Sequence, residues 1–318
     1  MAARRDSRAG RPGRAAPRSG AGRGRATGGA RSTGGTRSSG GTRSSGGRQG
    51  AGRTAGDRPG RDKPRDKGLG GEQVEGRQAV RELLIGNKRR VREIWMAADI
   101  DSAPIIEDIE QLASVRRVTV QEVARKKLEE RARSEAPQGI IAFADPIPEA
   151  DFGDMLGGTN GRPPFLVAVD GVTDPGNLGA LLRCCDGAGV SGVLLPRHRA
   201  VHVTPTVAKA SAGAVEHVPM TLVSGLPTAI KQMRDRGIWV VGLDDSGRDT
   251  IFDIGRFAGE GICVVLGAEG AGLSRLVRER CDTVVSIPML GQVSSLNVSA
   301  AAALAVYEVA RARMTGRE

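Results

Sequence analysis

The sequence predicts an α/β protein with two folded units and a long polar tail. In residues 164–318, apolar runs of Val, Ile and Leu alternate with segments of helical periodicity. Such runs indicate a parallel sheet that helices cover on both faces. In residues 72–145, shorter strands and helices alternate in the same manner. A stretch rich in Pro and Gly over residues 146–163 separates the two regions and predicts a linker.

The tail, residues 1–70, differs in composition from the rest of the chain. It contains 18 Lys and Arg against 4 Asp and Glu, a net charge of +14, whereas the whole chain carries +11 and the remainder therefore −3. Apart from Met1, Leu69 and scattered alanines it has no apolar side chain, so burial cannot offset the entropy of ordering. We predict a disordered basic tail that holds RNA phosphates without sequence preference. The alternative is a solvated extension without a function.

The smaller unit is predicted to contain three helices and three strands. Apolar residues at helical spacing indicate the helices, and short apolar runs indicate the strands. In chain order the predicted elements are helix 76–85, strand 91–97, helix 104–113, strand 117–120, helix 121–132 and strand 138–144. Residues 72–145 are enough for a small domain.

The larger unit is predicted to contain five strands and five helices. The predicted strands are 166–169, 192–195, 238–243, 262–266 and 283–287. The predicted helices are 178–187, 205–211, 226–236, 274–280 and 296–314. In a parallel sheet of this kind, ligands bind beyond the carboxyl ends of the strands.

Three polar motifs, in residues 169–183, 265–274 and 284–299, fall at those strand ends. They place candidate side chains in one crevice, although helix capping explains a single Ser, Asn or Glu equally well. A dinucleotide fingerprint is poorly supported, because no G-x-G-x-x-G follows the first strand. The candidate residues for this crevice are Asn177, Arg183, Glu269, Ser295 and Asn297.

Other sequence signals point to a cytoplasmic protein without a bound metal. There is no secretory segment and no apolar run long enough for a membrane, and a mitochondrial presequence would need apolar residues at helical spacing, which the tail lacks. The four cysteines show no C-x-x-C spacing and are expected to be reduced and mostly buried. His198 and His202 stand four residues apart, but Pro196 makes their segment a basic loop rather than a metal-binding helix.

The three motifs resemble those of a known family. Asn177 with Arg183, the segment LGAEGAGLS, and IPM followed by SLNVSAAAALAVYE are similar to the three signature motifs of the SpoU, or TrmH-like, RNA ribose 2′-O-methyltransferases of the SPOUT superfamily. The smaller unit resembles an L30e-type RNA-binding module in residues 75–80 and 138–140. The resemblance covers residues 72–318 and is closest to the bacterial 23S rRNA guanosine 2′-O-methyltransferases, the RlmB group.

The resemblance implies a fold and a cofactor. The larger unit, residues 164–318, is expected to be a methyltransferase domain with a parallel sheet and a deep trefoil knot at its C-terminal side. S-adenosylmethionine is expected to lie within the knot, held by backbone groups around Gly267, Ile287 and Leu296. The family also implies a homodimer that includes the final helix in its interface.

The resemblance also implies roles for the candidate residues. A guanidinium stays protonated in proteins, so Arg183 is expected to stabilise the developing alkoxide and to bind the neighbouring phosphate. Asn177 is expected to position Arg183 or the ribose, and Glu269 to accept hydrogen bonds that orient them. Ser295 and Asn297 are expected to shape the cofactor and ribose pocket. Removal of the 2′-hydroxyl proton through that phosphate or through a water molecule stays open.

The substrate is less closely defined by the motifs. The fused small unit and the basic tail suggest a large structured RNA, with a guanosine of 23S rRNA as the first expectation. A transfer RNA, or the rRNA site of the thiostrepton-resistance enzymes, is an alternative within the same fold. An alternative of another class is a ribosome-assembly factor that binds RNA without catalysis; the presence of all five candidate residues disfavours it.

Overall fold

The computed structural model describes residues 68–198 and 202–316. The part of the tail up to residue 67, and with it most of the predicted disorder, lies outside the described residues. The described residues contain two sheets. The smaller sheet has the order β1-β4-β2-β3, in which β4 is antiparallel to both neighbours and β2 is parallel to β3. Its strands are β1 Gln73–Glu75, β2 Val91–Ala97, β3 Thr119–Val123 and β4 Ile140–Ala144.

Three helices accompany the smaller sheet. They are α1 Arg77–Gly86, α2 Pro104–Arg116 and α3 Arg125–Arg131. Alternate strand residues point to opposite faces, so Ile94 joins a core with Leu83 of α1 and Ile109 of α2. Ile141 on the opposite face packs with Leu128 of α3. The predicted strand 91–97 is confirmed, whereas the predicted helix 121–132 is wrong at its start.

The larger sheet has seven strands in the order β7-β6-β5-β10-β8-β11-β9, and all neighbours are parallel. The strands are β5 Phe165–Val169, β6 Gly192–Pro196, β7 Met220–Val223, β8 Trp239–Leu243, β9 Asp249–Thr250, β10 Ile262–Leu266 and β11 Thr283–Ser286. The five predicted strands are confirmed, and β11 ends before Ile287. The sequence missed β1, β7 and β9 because runs of two to four residues carry little periodicity.

Helices cover both faces of this sheet. They are α4 Phe152–Met155, α5 Pro175–Gly187, α6 Pro205–Ala210, α7 Leu226–Asp235, α8 Arg275–Arg280 and α9 Val298–Thr315, with 3-10 turns at Ala214–Glu216 and Ile251–Phe257. On β5, Val167 packs in one core with Val306 of α9, and its neighbour Leu166 packs in another with Ile230 of α7. The continuous apolar runs are therefore buried from both sides, as the sequence predicted.

Two segments that the sequence placed outside the folded units pack against them. Leu69, assigned to the tail, has only 1% of its surface exposed, and Val203 N–H donates to its carbonyl at 2.8 Å. In the predicted linker, Ile147 is buried and its N–H donates to Gly70 O at 2.9 Å. A few apolar residues in a polar stretch were enough for packing, although they gave no periodic signal.

Candidate active site

Three loops at the carboxyl edge of the larger sheet surround a cavity of about 510 Å³. They follow strands β8, β10 and β11, which are neighbours in the sheet. Because parallel strands end at the same edge, these loops meet although they are far apart in sequence. The lining includes residues 243–245, 266–272, Ile287, Met289 and 294–298.

Asn177, Glu269 and Asn297 form a closed hydrogen-bonded network beside this cavity. Asn177 Nδ2 donates to Glu269 Oε1 at 2.7 Å, and Asn297 Nδ2 donates to the same oxygen at 3.1 Å. Asn297 Nδ2 also donates to Asn177 Oδ1 at 2.8 Å. The structure therefore brings together one residue from each of the three polar motifs.

The starts of two helices hold the asparagines of this network. Asp174 caps α5, and its Oδ1 accepts from Asn177 N at 2.7 Å. Asn297 caps α9, and its Oδ1 accepts from Ser299 N at 2.8 Å. Helix capping, the simpler interpretation of these residues, is thus correct for the Asn297 oxygen, while its nitrogen joins the network. Asn177 is not the cap of α5.

The Gly-rich loop after β10 is folded tightly on itself. Ala268 N donates to Gly272 O, and Gly272 N donates to Ala268 O, both at 3.0 Å. A Cβ on Gly267 would lie 2.3 Å from the carbonyl carbon of Gly272, so no other residue fits there. Gly270 and Gly272 have positive φ values of 71° and 63°, which glycine adopts without strain. These glycines serve the turn that places Glu269 beside the cavity.

Asp244, which the sequence analysis missed, holds this loop from the neighbouring strand. Its buried carboxylate follows β8, and Oδ2 accepts from Leu273 N at 2.9 Å while Oδ1 accepts from Ser246 N at 3.1 Å. Burial alone raises the pKa of Asp244, but the hydrogen bonds from Ser246 and Leu273 and the nearby Arg278 guanidinium outweigh it and lower the pKa. The sequence signal that could have identified Asp244 is its position immediately after a predicted parallel strand.

The cavity fits S-adenosylmethionine in size and chemistry. Its volume lies within the range of small-molecule sites, and Leu243, Leu266 and Leu296 supply apolar walls for a purine ring. Within the described residues, the loop 288–296 belongs to no helix or strand, and Met289 and residues 294–296 of it line the cavity. Gly267, Ile287 and Leu296, the predicted cofactor residues, all line the cavity.

Ser295 and Arg183 differ in their placement. Ser295 lines the cavity together with Ser294. Arg183 lies on the exposed side of α5 and does not line the cavity. Asn177 is likewise outside the lining and reaches the site through its hydrogen bonds, so a place for Arg183 in the same crevice stays a prediction.

The described residues contain no helix suited to crossing a membrane and no cluster of His, Cys, Asp or Glu suited to a metal ion. The four cysteines are free thiols. Burial raises the pKa of the Cys281 thiol to about 12, so it is protonated at neutral pH.

Two family profiles match the chain. The profile described as the SpoU rRNA Methylase family matches residues 164–307. The profile described as RNA 2′-O ribose methyltransferase substrate binding matches residues 73–150. The network and the cavity lie in the first range, and the smaller sheet lies in the second.

Individual proteins are similar over most of the chain. The TrmH family protein YacO of Bacillus subtilis is 40% identical over 243 residues, which cover 76% of this chain and 95% of YacO. The 23S rRNA (guanosine-2′-O-)-methyltransferase RlmB of Pseudomonas syringae is 37% identical over 250 residues, covering 78% and 98%. The crystal structure of the SpoU methyltransferase AviRb from Streptomyces viridochromogenes with the cofactor AdoMet superposes with a TM-score of 0.64 at 26% identity, covering 77% and 91%.

Proposed function

We propose a function for this chain from one premise: it belongs to the SpoU family of RNA methyltransferases. It is an enzyme that transfers a methyl group from S-adenosylmethionine to a ribose 2′-hydroxyl of RNA. The observation that carries this function is the network of Asn177, Glu269 and Asn297 beside the cavity. This network joins the three polar motifs beside the cavity that we assign to the cofactor.

The proposed substrate is a guanosine of 23S rRNA. RlmB of Pseudomonas syringae carries that activity in its name and is similar over nearly its whole length. The profile match over residues 73–150 supports an RNA-binding role for the smaller unit, which we assign, as residues 72–145, to the L30e type. The basic residues of the tail favour an RNA partner through their charge.

In this proposal, the side chains of the network orient the ribose for methyl transfer. S-adenosylmethionine, when bound, supplies a methyl group already activated by the positive charge of its sulfur. A neutral 2′-hydroxyl is a poor nucleophile, so in-line placement and stabilisation of the oxyanion remain for the protein. Glu269 fixes the two amide groups, and Asn177 and Asn297 then present a defined set of donors and acceptors to the ribose.

Arg183 supplies the positive charge. Its guanidinium is exposed on α5, where an RNA phosphate from outside the chain can reach it. Because the guanidinium stays protonated, we assign it to binding of that phosphate and stabilisation of the alkoxide rather than to proton removal. Ser295, in the cavity lining, contributes to the walls of the cofactor and ribose pocket.

We further propose that the chain forms a homodimer through α9 and contains a knot. Leu304 and Tyr307 on α9 are about half exposed, and Leu290 and Val293 in the nearby loop are exposed more fully, which is typical of an interface. After β11 the chain returns to pack α9 against β10, on the other side of β8. This return past the loop after β10 supports a trefoil knot. We infer a cytoplasmic location from the proposed ribosomal substrate.

The function is tested by transfer of radiolabelled methyl from S-adenosylmethionine to unmodified 23S rRNA, 16S rRNA and bulk tRNA. The modified ribose is mapped, and Arg183→Ala serves as the inactive control. Label in 23S rRNA that disappears in the control supports the proposal. Label only in tRNA replaces the proposed substrate, and binding of RNA without transfer to any of them favours a ribosome-assembly factor.

A further inference from the structure

A buried ion pair connects the smaller sheet unit to the methyltransferase unit. Arg89 lies between α1 and β2, and Glu216 lies in the 3-10 turn before β7. Their side chains are only 2% and 3% exposed. Arg89 Nε donates to Glu216 Oε2 at 3.0 Å, and Arg89 Nη2 donates to the other carboxylate oxygen. The pair is therefore bidentate and removed from water.

The third nitrogen of the Arg89 guanidinium, Nη1, contacts the chain at both ends of the smaller unit. Its Nη1 donates to Gly71 O, before β1, and to Asp145 O, after β4, each at 2.6 Å. One guanidinium thus joins the entry and the exit of the smaller unit to a carboxylate of the larger one. The planar fork of arginine fixes orientation as well as distance, which a lysine or an apolar contact does not.

Contacts around the pair reinforce the same junction. Glu82 Oε2 of α1 lies 2.8 Å from His217 Nε2, and Lys88 Nζ donates to His217 O at 2.8 Å. Lys209 Nζ of α6 donates to Ala136 O at 2.9 Å. The helix that carries Lys209 packs directly on α5, because Gly179 lies against α6 with no room for a Cβ.

The two segments that connect the units, residues 68–71 and 146–150, are both held by backbone contacts at this junction. Residues 68–71 pair with the chain at Val203, and a Cβ on Gly71 would lie 2.8 Å from Ile147. Ala150 N donates to Met220 O at 2.8 Å, so the predicted linker runs along the edge strand of the larger sheet. The junction therefore has the contacts of a fixed interface rather than of a hinge.

We propose that Arg89 and Glu216 are positioning residues that set the geometry between the RNA-binding unit and the methyl-transfer site, and thereby determine which ribose enters that site. The inference rests on the proposed function, because it concerns the choice of nucleotide within the RNA substrate. A bound RNA contacts the smaller unit at one place and reaches Asn177 on α5 at another. Because the junction is fixed, the distance between the RNA contact on the smaller unit and Asn177 does not change.

The test compares Glu216→Gln with the wild-type protein. The substitution keeps the shape of the side chain but removes its charge, leaving Arg89 buried without a counter-ion. We expect kcat/KM for 23S rRNA to fall about 10- to 100-fold and new methylated riboses to appear, as misplacement of a substrate produces. The Kd of S-adenosylmethionine should change less than about twofold, because neither Arg89 nor Glu216 is among the residues that line the cavity.

Arg234→Met is the matched control. Arg234 pairs with Asp282 at 3.0 Å inside the methyltransferase unit, so its loss lowers stability without touching the junction. We expect it to keep the wild-type KM for RNA and the wild-type nucleotide. Amide hydrogen exchange of residues 68–71 and 146–150 is measured in parallel and should accelerate only in Glu216→Gln.

The proposal is overturned if Glu216→Gln methylates the same single nucleotide with a kcat/KM close to that of the wild type, whether or not exchange accelerates. If Glu216→Gln does not fold, Arg89→Lys takes its place with the same criteria, since it keeps the charge and loses the fork. Absence of methyl transfer by the wild type would contradict the proposed function instead. In that case, unchanged hydrogen exchange in Glu216→Gln would still overturn the claim that the ion pair holds the junction.

Discussion

Asp244 offers a sharp test of how the cofactor cavity is built. In Asp244→Ala, Leu273 N loses its buried acceptor, and an unsatisfied buried donor costs about 1–3 kcal/mol. The loop after β10 is also released from β8, while the tight turn at Gly267 remains. If about 2 kcal/mol of this cost falls on the closed loop, the Kd of S-adenosylmethionine rises about 30-fold, since each 1.4 kcal/mol is tenfold.

Isothermal titration calorimetry with S-adenosylmethionine measures this effect without RNA. Asp245→Ala is the matched control, because Asp245 lines the same cavity but is exposed. If Asp244 acts by holding the loop, the control should change Kd by less than about threefold, the limit for a surface change. Equal losses in both variants would point to a simple charge effect, and wild-type affinity in Asp244→Ala would refute the reasoning.

The pH dependence of cofactor binding gives the same residue a second test. The folded protein lowers the pKa of Asp244 below its ordinary value of 3.8. A carboxyl group with a lowered pKa stabilises the fold above its ordinary pKa, and the effect disappears as pH falls through the folded value. The contribution of Asp244 should therefore be constant near neutrality and vanish only below pH 3.8. A contribution that already declines between about pH 5 and 7 would contradict the lowered pKa.

Other predictions concern the network, the turn and the tail. Glu269→Gln should lower kcat about tenfold with little change in the Kd of the cofactor, because a neutral oxygen replaces a charged acceptor; a fall of more than about 1,000-fold would favour a direct proton-transfer role. Gly267→Ala should abolish cofactor binding in calorimetry, since its Cβ would overlap the loop backbone, whereas Gly291→Ala should be tolerated; equal affinities would contradict the packing. Deletion of residues 1–67 should weaken RNA binding and flatten its salt dependence while the cofactor Kd stays unchanged; an unchanged salt slope would show that the tail has no part in binding.

The sequence predicted much of the network because its residues follow apolar strands. Asn177, Glu269 and Asn297 each stand at the start of a loop or helix beyond a buried run, and parallel strands bring such points to one edge. Their hydrogen bonds join residues up to 120 positions apart, yet their positions after parallel strands were enough to expect them at one edge of the sheet. The hydrogen-bond distances, and the double role of Asn297 as helix cap and as donor to Glu269, follow only from the three-dimensional structure.

Short secondary-structure elements and single long-range contacts could not be predicted from the sequence. The strand Met220–Val223 and the turn Ala214–Glu216 are too brief for a periodic pattern, and Glu216 therefore had no assigned environment. Arg89 and Glu216 are 127 residues apart, and neither type is normally buried. Only packing of the two units makes them partners, and a contact of that kind has no local pattern in the sequence.

The placement of Arg183 follows from helix geometry that the motif spacing already contained. Asn177 and Arg183 are six positions apart on α5, so their side chains differ by about 120° around the axis and about 9 Å along it. Since Asn177 faces Glu269, Arg183 must face another direction, and Gly179 between them faces α6. Whatever brings Arg183 into the reaction must approach α5 from outside the chain, and a phosphate of the RNA backbone has the charge to do so. If Arg183 has the role proposed for it, its guanidinium joins the site only when RNA binds, and the cofactor should then bind equally well to Arg183→Ala.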